Sequence, residues 1–568
     1  MSAQDDLHLL PAPLRCQRLG GEVATAGLAI RECLDPAVVR EAGDEAYRLV
    51  VDASGAQLSA RTAIGLRWGR ATLAQLRLQP RIPCLAIDDA PRFAQRGVML
   101  DISRDRVPTM ATLFGLVDRL AAWKMNHLQL YVEHALAYAG HEDAWRAASP
   151  ITLEELSALD AYCTGQGVAL TANQNCLGHF ERWLKHPHYA PLGELDRGHL
   201  ASGWFQRPNT LCPGDARVPA LIEDLLTQQL PRCSGVYANI GCDEPFDLGQ
   251  GRSRDDCATR GKGTVFSAHV ARVAAIARRL GKRPQFWCDP HPNEGDGLPQ
   301  DLTALVWGYE DSEDFHRRVS AHRVAGREVW VAPGTSCWNS TTGRTWNRRG
   351  NLDVAARETD AVGFLCTAWG DGGHRQPWPI TLFGFADAAM AAWSGPGRYD
   401  DRAVGLHAFA CAALGPWLAR LGDADRELCN GQRRRWDGSA YDKPPVNLWG
   451  TALWRELHTP FLERSGEGDA AAWEEIAARL DALRPALPAD VAGLTARECR
   501  HGLDIARWTC DRAIRRRRDP ADAAAKRAAT AVFADHLEEY RQLWLARSRY
   551  GGLEDSLQPY LLHGIRGL

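Results

Sequence analysis

The 568-residue chain has few of the features that mark a secreted, membrane-spanning or nucleotide-dependent protein. Its sixteen cysteines include no C-x-x-C pair, and several, such as Cys242, Cys288 and Cys366, fall in or beside apolar runs. Buried free thiols are therefore expected, rather than a disulfide framework or a zinc site. The first residues are acidic at Asp5 and Asp6, with no long apolar stretch behind them, so no signal peptide is read. No apolar run approaches the length of a membrane span, and a cytoplasmic protein with no membrane partner is expected. The net charge of -3 offers no electrostatic basis for binding nucleic acid. No G-x-G-x-x-G follows a strand, and there is neither a P-loop nor a G-x-S-x-G elbow. No two histidines stand at i, i+4 beside a glutamate, and His134, His179, His291 and His374 fall in four separate loops, so no metal and no other cofactor is expected. Internal repeats and low-complexity segments are absent.

Tryptophan is plentiful instead: twenty residues against five methionines. Its flat apolar faces stack on sugar rings as well as on core neighbours, which raises the prior for a carbohydrate site. The length calls for two or three domains. Residues 1–90 read as a small α/β unit, with a strand at Tyr47–Val51 and an amphipathic helix over Gly65–Leu76, and Pro83–Pro91 reads as the junction out of it. Residues 399–568 read as helical, with apolar spacing over Ala471–Leu483, Ala496–Arg515 and Ala521–Arg547. The run Arg515–Arg518, followed by Asp519, reads as a solvated helix end. The segment Arg547–Ser556 is a candidate contact with the barrel mouth, weighed against a plain helix cap and loop.

Between them, residues 91–398 repeat a strand-then-helix rhythm eight times, which predicts a (β/α)8 TIM barrel. The strand candidates are Gly97–Asp101, His127–Tyr131, Val168–Thr171, Val236–Ile240, Gln285–Trp287, Ala304–Trp307, Val329–Val331 and Gly363–Cys366. Catalytic groups in such barrels stand at the C-terminal strand tips. Here those tips carry Arg104, Glu133, His179, Asp243-Glu244, Trp287, Trp307, Tyr309, Trp338, Trp369 and Asp371. Four tryptophans with carboxylates, an arginine and histidines make an aromatic box with polar handles, suited to a pyranose ring. Successive residues on a strand face opposite ways, so Asp243 and Glu244 share a site only where the strand has ended. Such carboxylate pairs serve acid–base chemistry.

The chain resembles the family 20 glycoside hydrolases, exo-acting β-N-acetylhexosaminidases. The resemblance rests on Gly65…Trp68-Gly69…Thr72-Leu73…Gln75-Leu76, on Ile87-Asp88-Asp89-Ala90-Pro91-Arg92-Phe93…Arg96-Gly97…Leu100-Asp101…Ser103-Arg104, and on Asn239-Ile240-Gly241-Cys242-Asp243-Glu244. It implies Glu244 as the general acid and Asp243 as the carboxylate that orients the substrate's 2-acetamido group, whose carbonyl oxygen then attacks the anomeric carbon. It implies Arg104 and Asp371 as hydroxyl-binding residues, His179 as support for the acid with Glu133 behind it, and Trp287, Trp307 and Trp369 as pocket walls. After the seventh strand the family usually carries a tyrosine and, two positions on, an acidic residue; this chain has Gly334-Thr335-Ser336-Cys337-Trp338-Asn339. The acetamido carbonyl is then left to Trp338 or Tyr309, and an N-acetylgalactosamine preference enters beside N-acetylglucosamine. Two other readings stand next to this one: a retaining β-glycosidase with Asp243 as covalent nucleophile, and a sugar-binding barrel without catalysis. The expected partner is the end of a carbohydrate chain, and the helical domain is a candidate homodimer surface.

Overall fold

The computed structural model describes residues 7–38, 43–201, 204–289, 297–429, 450–457, 468–518 and 523–560. The first unit is a five-stranded sheet of β1 (Arg15–Ala24), β2 (Ile30–Leu34), β3 (Tyr47–Asp52), β4 (Gly55–Ala60) and β5 (Arg81–Asp89), in the order β1-β5-β3-β4-β2. One helix, Ala63–Leu76, covers it; its N-cap Thr62 accepts a hydrogen bond from the Gly65 N–H, as capping hydroxyls do. The helix buries Leu66, Trp68, Leu73 and Leu76 against Tyr47, Leu49, Val51, Leu58 and Ile87 of the sheet. The expected junction at Pro83–Pro91 is corrected here, because most of that segment belongs to β5, between β1 and β3. Pro83 is tolerated because it lies outside the stretch Leu85–Asp89 that pairs with β3, beside the irregularity in β1 between Arg18 and Glu22.

Eight parallel strands then close into a barrel: β6 (Gln95–Asp101), β7 (His127–Tyr131), β8 (Ala169–Asn173), β11 (Tyr237–Asn239), β12 (Arg283–Cys288), β13 (Thr303–Trp307), β14 (Glu328–Ala332) and β15 (Gly363–Ala368). A small hairpin of β9 (His199–Ala201) and β10 (Trp204–Gln206) is inserted after β8. Alternate residues divide cleanly between two cores. Val98, Leu100, Leu128, Leu130, Phe286, Val306, Val329, Val331 and Phe364 face the surrounding helices. Met99, Tyr131, Tyr237, Trp287, Leu305, Trp330 and Leu365 face the barrel axis. A polar network of Gln129, Asn173, Asn239 and Gln285 crosses the axis, with Gln129 donating to Gln285 (2.9 Å) and accepting from Asn173 (2.9 Å).

The sheet unit is locked to the barrel by buried charge. Lys124 Nζ lies 2.8 Å from both Asp89 Oδ2 and the Tyr47 hydroxyl, and Trp393 donates to Asp89 Oδ1 (2.9 Å). Arg96 forks onto Glu45 at 3.0 and 2.7 Å, with its guanidinium over Trp393.

Beyond the barrel the described residues are helical: Asp401–Phe409, Leu414–Gly422, Ala452–Leu457, Ala470–Leu483, Gly493–Arg518, Ala523–Arg547 and Leu553–Tyr560. The arginine run is not simply a solvated end. Arg512, Arg516 and Arg517 converge on the buried Glu456 at 2.9, 3.0 and 3.4 Å, and Arg518 pairs with Glu474. The segment Arg547–Ser556 does lie on the barrel's loops. Arg549 N–H donates to the Val107 carbonyl (2.8 Å), Gly551 N–H to Ser149 Oγ (3.0 Å), and Ser556 Oγ to the Gly373 carbonyl. All sixteen cysteines are free, and Cys33 alone is exposed.

Breaking a buried pair leaves an uncompensated charge, at a cost of about 3–5 kcal/mol. Lys124→Met, which strips the cation from Asp89, is expected to destabilise the protein by about that amount in urea unfolding. A loss under about 1 kcal/mol would show that the pair does not hold the two units together.

Candidate active site

The chain leaves β11 through a sharply turned segment. Gly241, Cys242 and Glu244 all have positive φ (63°, 70° and 46°), a region that residues with side chains seldom occupy. This winding lets the consecutive Asp243 and Glu244 reach one cavity. Two glycines make room for it. A Cβ on Gly178 would stand 2.2 Å from the Asp243 carbonyl oxygen, and one on Gly241 would stand 2.7 Å from Asn175 Cα. Side chains from neighbouring strand ends hold the turn. Asn175 accepts from the Cys242 N–H (3.0 Å) and donates to Asp243 Oδ1 (2.7 Å). Asp289 accepts the Glu244 N–H (2.8 Å) and the Trp307 indole N–H (3.2 Å). Asp243 is 6% exposed. The Glu244 side chain, at 34%, stands at the opening.

His179, also at positive φ (58°), sits behind the pair. Its Nε2 is 3.3 Å from Asp243 Oδ2 and 3.4 Å from Glu244 Oε2. Its Nδ1 is 3.7 Å from Glu133 Oε1 and 3.4 Å from Arg104 Nη2. Burial alone would push the imidazole down, but the facing Asp243 carboxylate, with Glu244, drives it well above the ordinary histidine value. Burial acts in the opposite sense on Glu133 and pushes its carboxyl up to about 8, against the pull of Arg104 and His179. Arg104 is tied to Asp101 (3.2 Å), Glu133 (3.4 Å) and Asp371 (3.5 Å), and lies over the rings of Tyr131 and Trp369.

The aromatic wall is ordered. Trp287 and Trp369 meet at 5.7 Å, Trp307 stacks on Tyr309 at 5.3 Å and 20°, and Trp338 stands edge-on to Tyr309 at 5.0 Å. The Trp369 indole donates to the Tyr309 hydroxyl oxygen (2.7 Å), and burial keeps that hydroxyl protonated by raising it well above the usual phenol value. The Trp287 indole N–H is buried without a hydrogen-bond partner among the described residues.

These groups enclose a cavity of about 380 Å³, lined by Arg104, Asp243, Glu244, Trp287, Trp307, Tyr309, Trp338, Trp369 and Asp371 of the residues singled out from the sequence. His179 and Glu133 stand behind its wall. His291 lies outside the described residues. Glu310, Glu313, Arg344 and Gly450 also line the cavity and were not anticipated. Glu310 and Glu313 follow Tyr309 at the tip of β13, where an acidic run was a signal. Arg344 opens the helix Thr345–Ala356, and Gly450 comes from the C-terminal helical region, so neither stands at a strand tip. Among the described residues no group of three His, Cys, Asp or Glu side chains is arranged to hold a metal ion.

Residues 2–90 match the family model described as glycosyl hydrolase family 20, domain 2, and residues 93–348 match the catalytic domain of the same family. A β-hexosaminidase of Akkermansia muciniphila is 27% identical over 285 residues, covering 44% of this chain and 57% of that protein. A β-N-acetylhexosaminidase of Cellulomonas fimi is 34% identical over 332 residues, covering 53% and 62%. The matched part is thus under two thirds of the length of either relative. In fold, a Flavobacterium johnsoniae chitobiase superposes with a TM-score of 0.60 at 15% identity, over 98% of this chain and 99% of that one. The β-N-acetylhexosaminidase of Streptomyces coelicolor gives 0.55 at 18%, over 74% and 97%.

Glu133 offers a test of the buried electrostatics. A carboxyl whose folded value is raised favours the folded state below the ordinary carboxylate range, and that advantage is lost as pH rises toward about 8. Glu133→Gln, neutral at every pH, escapes the loss. Its melting temperature is expected to gain on the wild type progressively between about pH 5 and pH 8. Parallel curves would mean that Glu133 is charged throughout.

Proposed function

Because the chain belongs to family 20 of the glycosyl hydrolases, we propose that it is an exo-β-N-acetylhexosaminidase, acting with retention through the substrate's own acetamido group. The observation that carries this reading is the left-handed turn that puts Asp243 and Glu244 side by side in an aromatic cavity. A covalent double displacement uses two carboxyls flanking the scissile bond about 5 Å apart, an arrangement consecutive residues serve poorly. Asp243 is also engaged on both oxygens, by Asn175 and by His179, which suits a carboxylate that orients a neighbour better than one that attacks.

In this reading Glu244, at the opening, protonates the departing glycosidic oxygen and later takes a proton from water. Asp243 accepts the acetamido N–H and offsets the positive charge that develops as the carbonyl oxygen closes on the anomeric carbon. The Tyr309 hydroxyl donates to that carbonyl. Its oxygen accepts from Trp369 and its ring is held between Trp307 and Trp338, which fixes the hydroxyl at the cavity. Trp287, Trp307 and Trp369 form the walls, and Arg104 with Asp371 holds ring hydroxyls. The segment after β14 that brings Trp338 to the cavity, Gly334–Asn339, carries no second hydroxyl-binding acid. A galacto sugar, with its axial O4, presents an apolar face that suits an indole. β-N-acetylgalactosaminides are therefore proposed as substrates alongside the gluco epimers, and a panel of nitrophenyl glycosides of both measures the ratio.

Glu244→Gln is expected to lower kcat by a factor on the order of a hundred or more, and by less for substrates with good leaving groups, which need less protonation. An equal loss across a leaving-group series would exclude Glu244 as the acid.

Asp243→Asn is expected to impair turnover while the melting temperature stays near wild type. The wild type should be nearly inert on β-glucosides and β-galactosides without the acetamido group. Cleavage of those parents as fast as of the N-acetyl glycosides would rule out substrate assistance.

A further inference from the structure

One charged pair in the cavity has no part in the chemistry described above. Arg344 forks onto Glu310, Nη1 to Oε1 and Nη2 to Oε2, both at 3.2 Å, and both residues line the same cavity as Asp243 and Glu244. Arg344 is 8% exposed, and its Nε–H is buried with no hydrogen-bond partner among the described residues. Such an orphaned donor on a guanidinium is costly and calls for an acceptor.

The pair is held rigidly from below. Asn351 Nδ2 donates to the carbonyls of Gly308 (3.0 Å) and Glu310 (2.9 Å), and Asn347 Nδ2 donates to the Tyr309 carbonyl (2.8 Å). Arg344 in turn lies over the Trp346 ring. A mere surface ion pair would not need two buried asparagines to fix the backbone of one partner.

Exposure sets Glu310 apart from the floor of the cavity, with Arg344 buried behind it. Trp287, Trp369 and Asp243 form the floor, at 1%, 7% and 6% exposure. The Glu310 side chain, at 36%, is as open as that of Glu244, at 34%. The group bonded to the far side of the oxygen that Glu244 protonates must lie at this level. Glu310 and Arg344 follow β13 and β14, whereas Arg104 and Asp371 follow β6 and β15. A guanidinium fork beside a carboxylate is internally neutral and presents fixed donors next to fixed acceptors. That combination matches a pair of adjacent sugar hydroxyls, each of which donates and accepts.

We propose that Arg344 and Glu310 form a hydroxyl-binding clamp for the sugar on the leaving side of the scissile bond, so that the natural substrate ends in a glycosidic bond to another sugar rather than to an apolar aglycone. This inference rests on the hexosaminidase reading.

The test compares two substrates on the full-length protein: a p-nitrophenyl N-acetyl-β-hexosaminide, which has no sugar on the leaving side, and the β-1,4-linked disaccharide of N-acetylglucosamine, which has one. Arg344→Met, Arg344→Lys and Glu310→Gln are measured together with their melting temperatures, the latter two being mild enough to keep the loops in place. Loss of hydrogen bonds to a charged group is expected to lower kcat/KM for the disaccharide about ten- to a hundredfold. On the aryl glycoside the change should stay within about threefold, the range of a contact that this substrate does not make. Equal falls on both substrates, or a wild type that hydrolyses only the aryl glycoside, would overturn the clamp and leave the hexosaminidase reading standing. A wild type inert on both would overturn the hexosaminidase reading itself.

Discussion

Neighbouring side chains on an extended chain point to opposite faces, so two consecutive carboxylates reach one cavity only if the backbone abandons the strand at once. In this protein the exit from β11 does so through a run of left-handed residues, and much of the site can be traced to the need to hold it. Asn175 and Asp289 serve as backbone acceptors for the turn and also touch functional side chains, one bonding Asp243 and the other Trp307. Gly178 is small because the Asp243 carbonyl passes over it, and its neighbour His179 is thereby brought against both acids. The strain of the turn and the positioning of the acids are one arrangement. The hydrogen bonds that oppose the strain also orient the groups.

The barrel was legible in the sequence because each of its strands is buried on both faces. Runs such as Val329–Val331 and Gly363–Cys366 stand out against their flanks, and all eight were found within a residue or two of their ends. The N-terminal sheet was less legible for the converse reason. Every residue of β2 is exposed, and β1 is mostly so, leaving no apolar alternation to read. The prolines of Pro83–Pro91 then outweighed a real strand. At the site, the aromatic and acidic groups directly after each apolar run were visible by position, while Glu310 and Glu313, a few residues past the tip of β13, were passed over. Arg344 and Gly450 were not, since a loop residue carries no periodic signal and its place depends on contacts distant in the sequence. The arginine run does end its helix with Arg516 and Arg518 exposed, but its ion pairing was not legible for a related reason. What it faces, Glu456, lies some sixty residues upstream and is detectable only once the helices pack.

The electrostatics of the site are uneven in a useful way. Glu133 and His179 are both buried, yet burial disfavours charge on both and only one of them finds enough opposite charge to overcome it. The positive charge on His179 therefore faces Asp243 and Glu244, while burial opposes charge on Glu133 behind it. Arg104 completes the rear wall and ties that interior to the hydroxyl-binding side through Asp371.

The cavity is walled by residues from distant parts of the chain. Arg104 comes from the first barrel loop, while Gly450 comes from the helical region, and the loop bearing Asp371 is pinned at Gly373 by Ser556. During synthesis the barrel strands emerge well before these last contacts do, and domains fold in the order in which they leave the ribosome. A nascent chain with a closed barrel therefore still has an unfinished pocket.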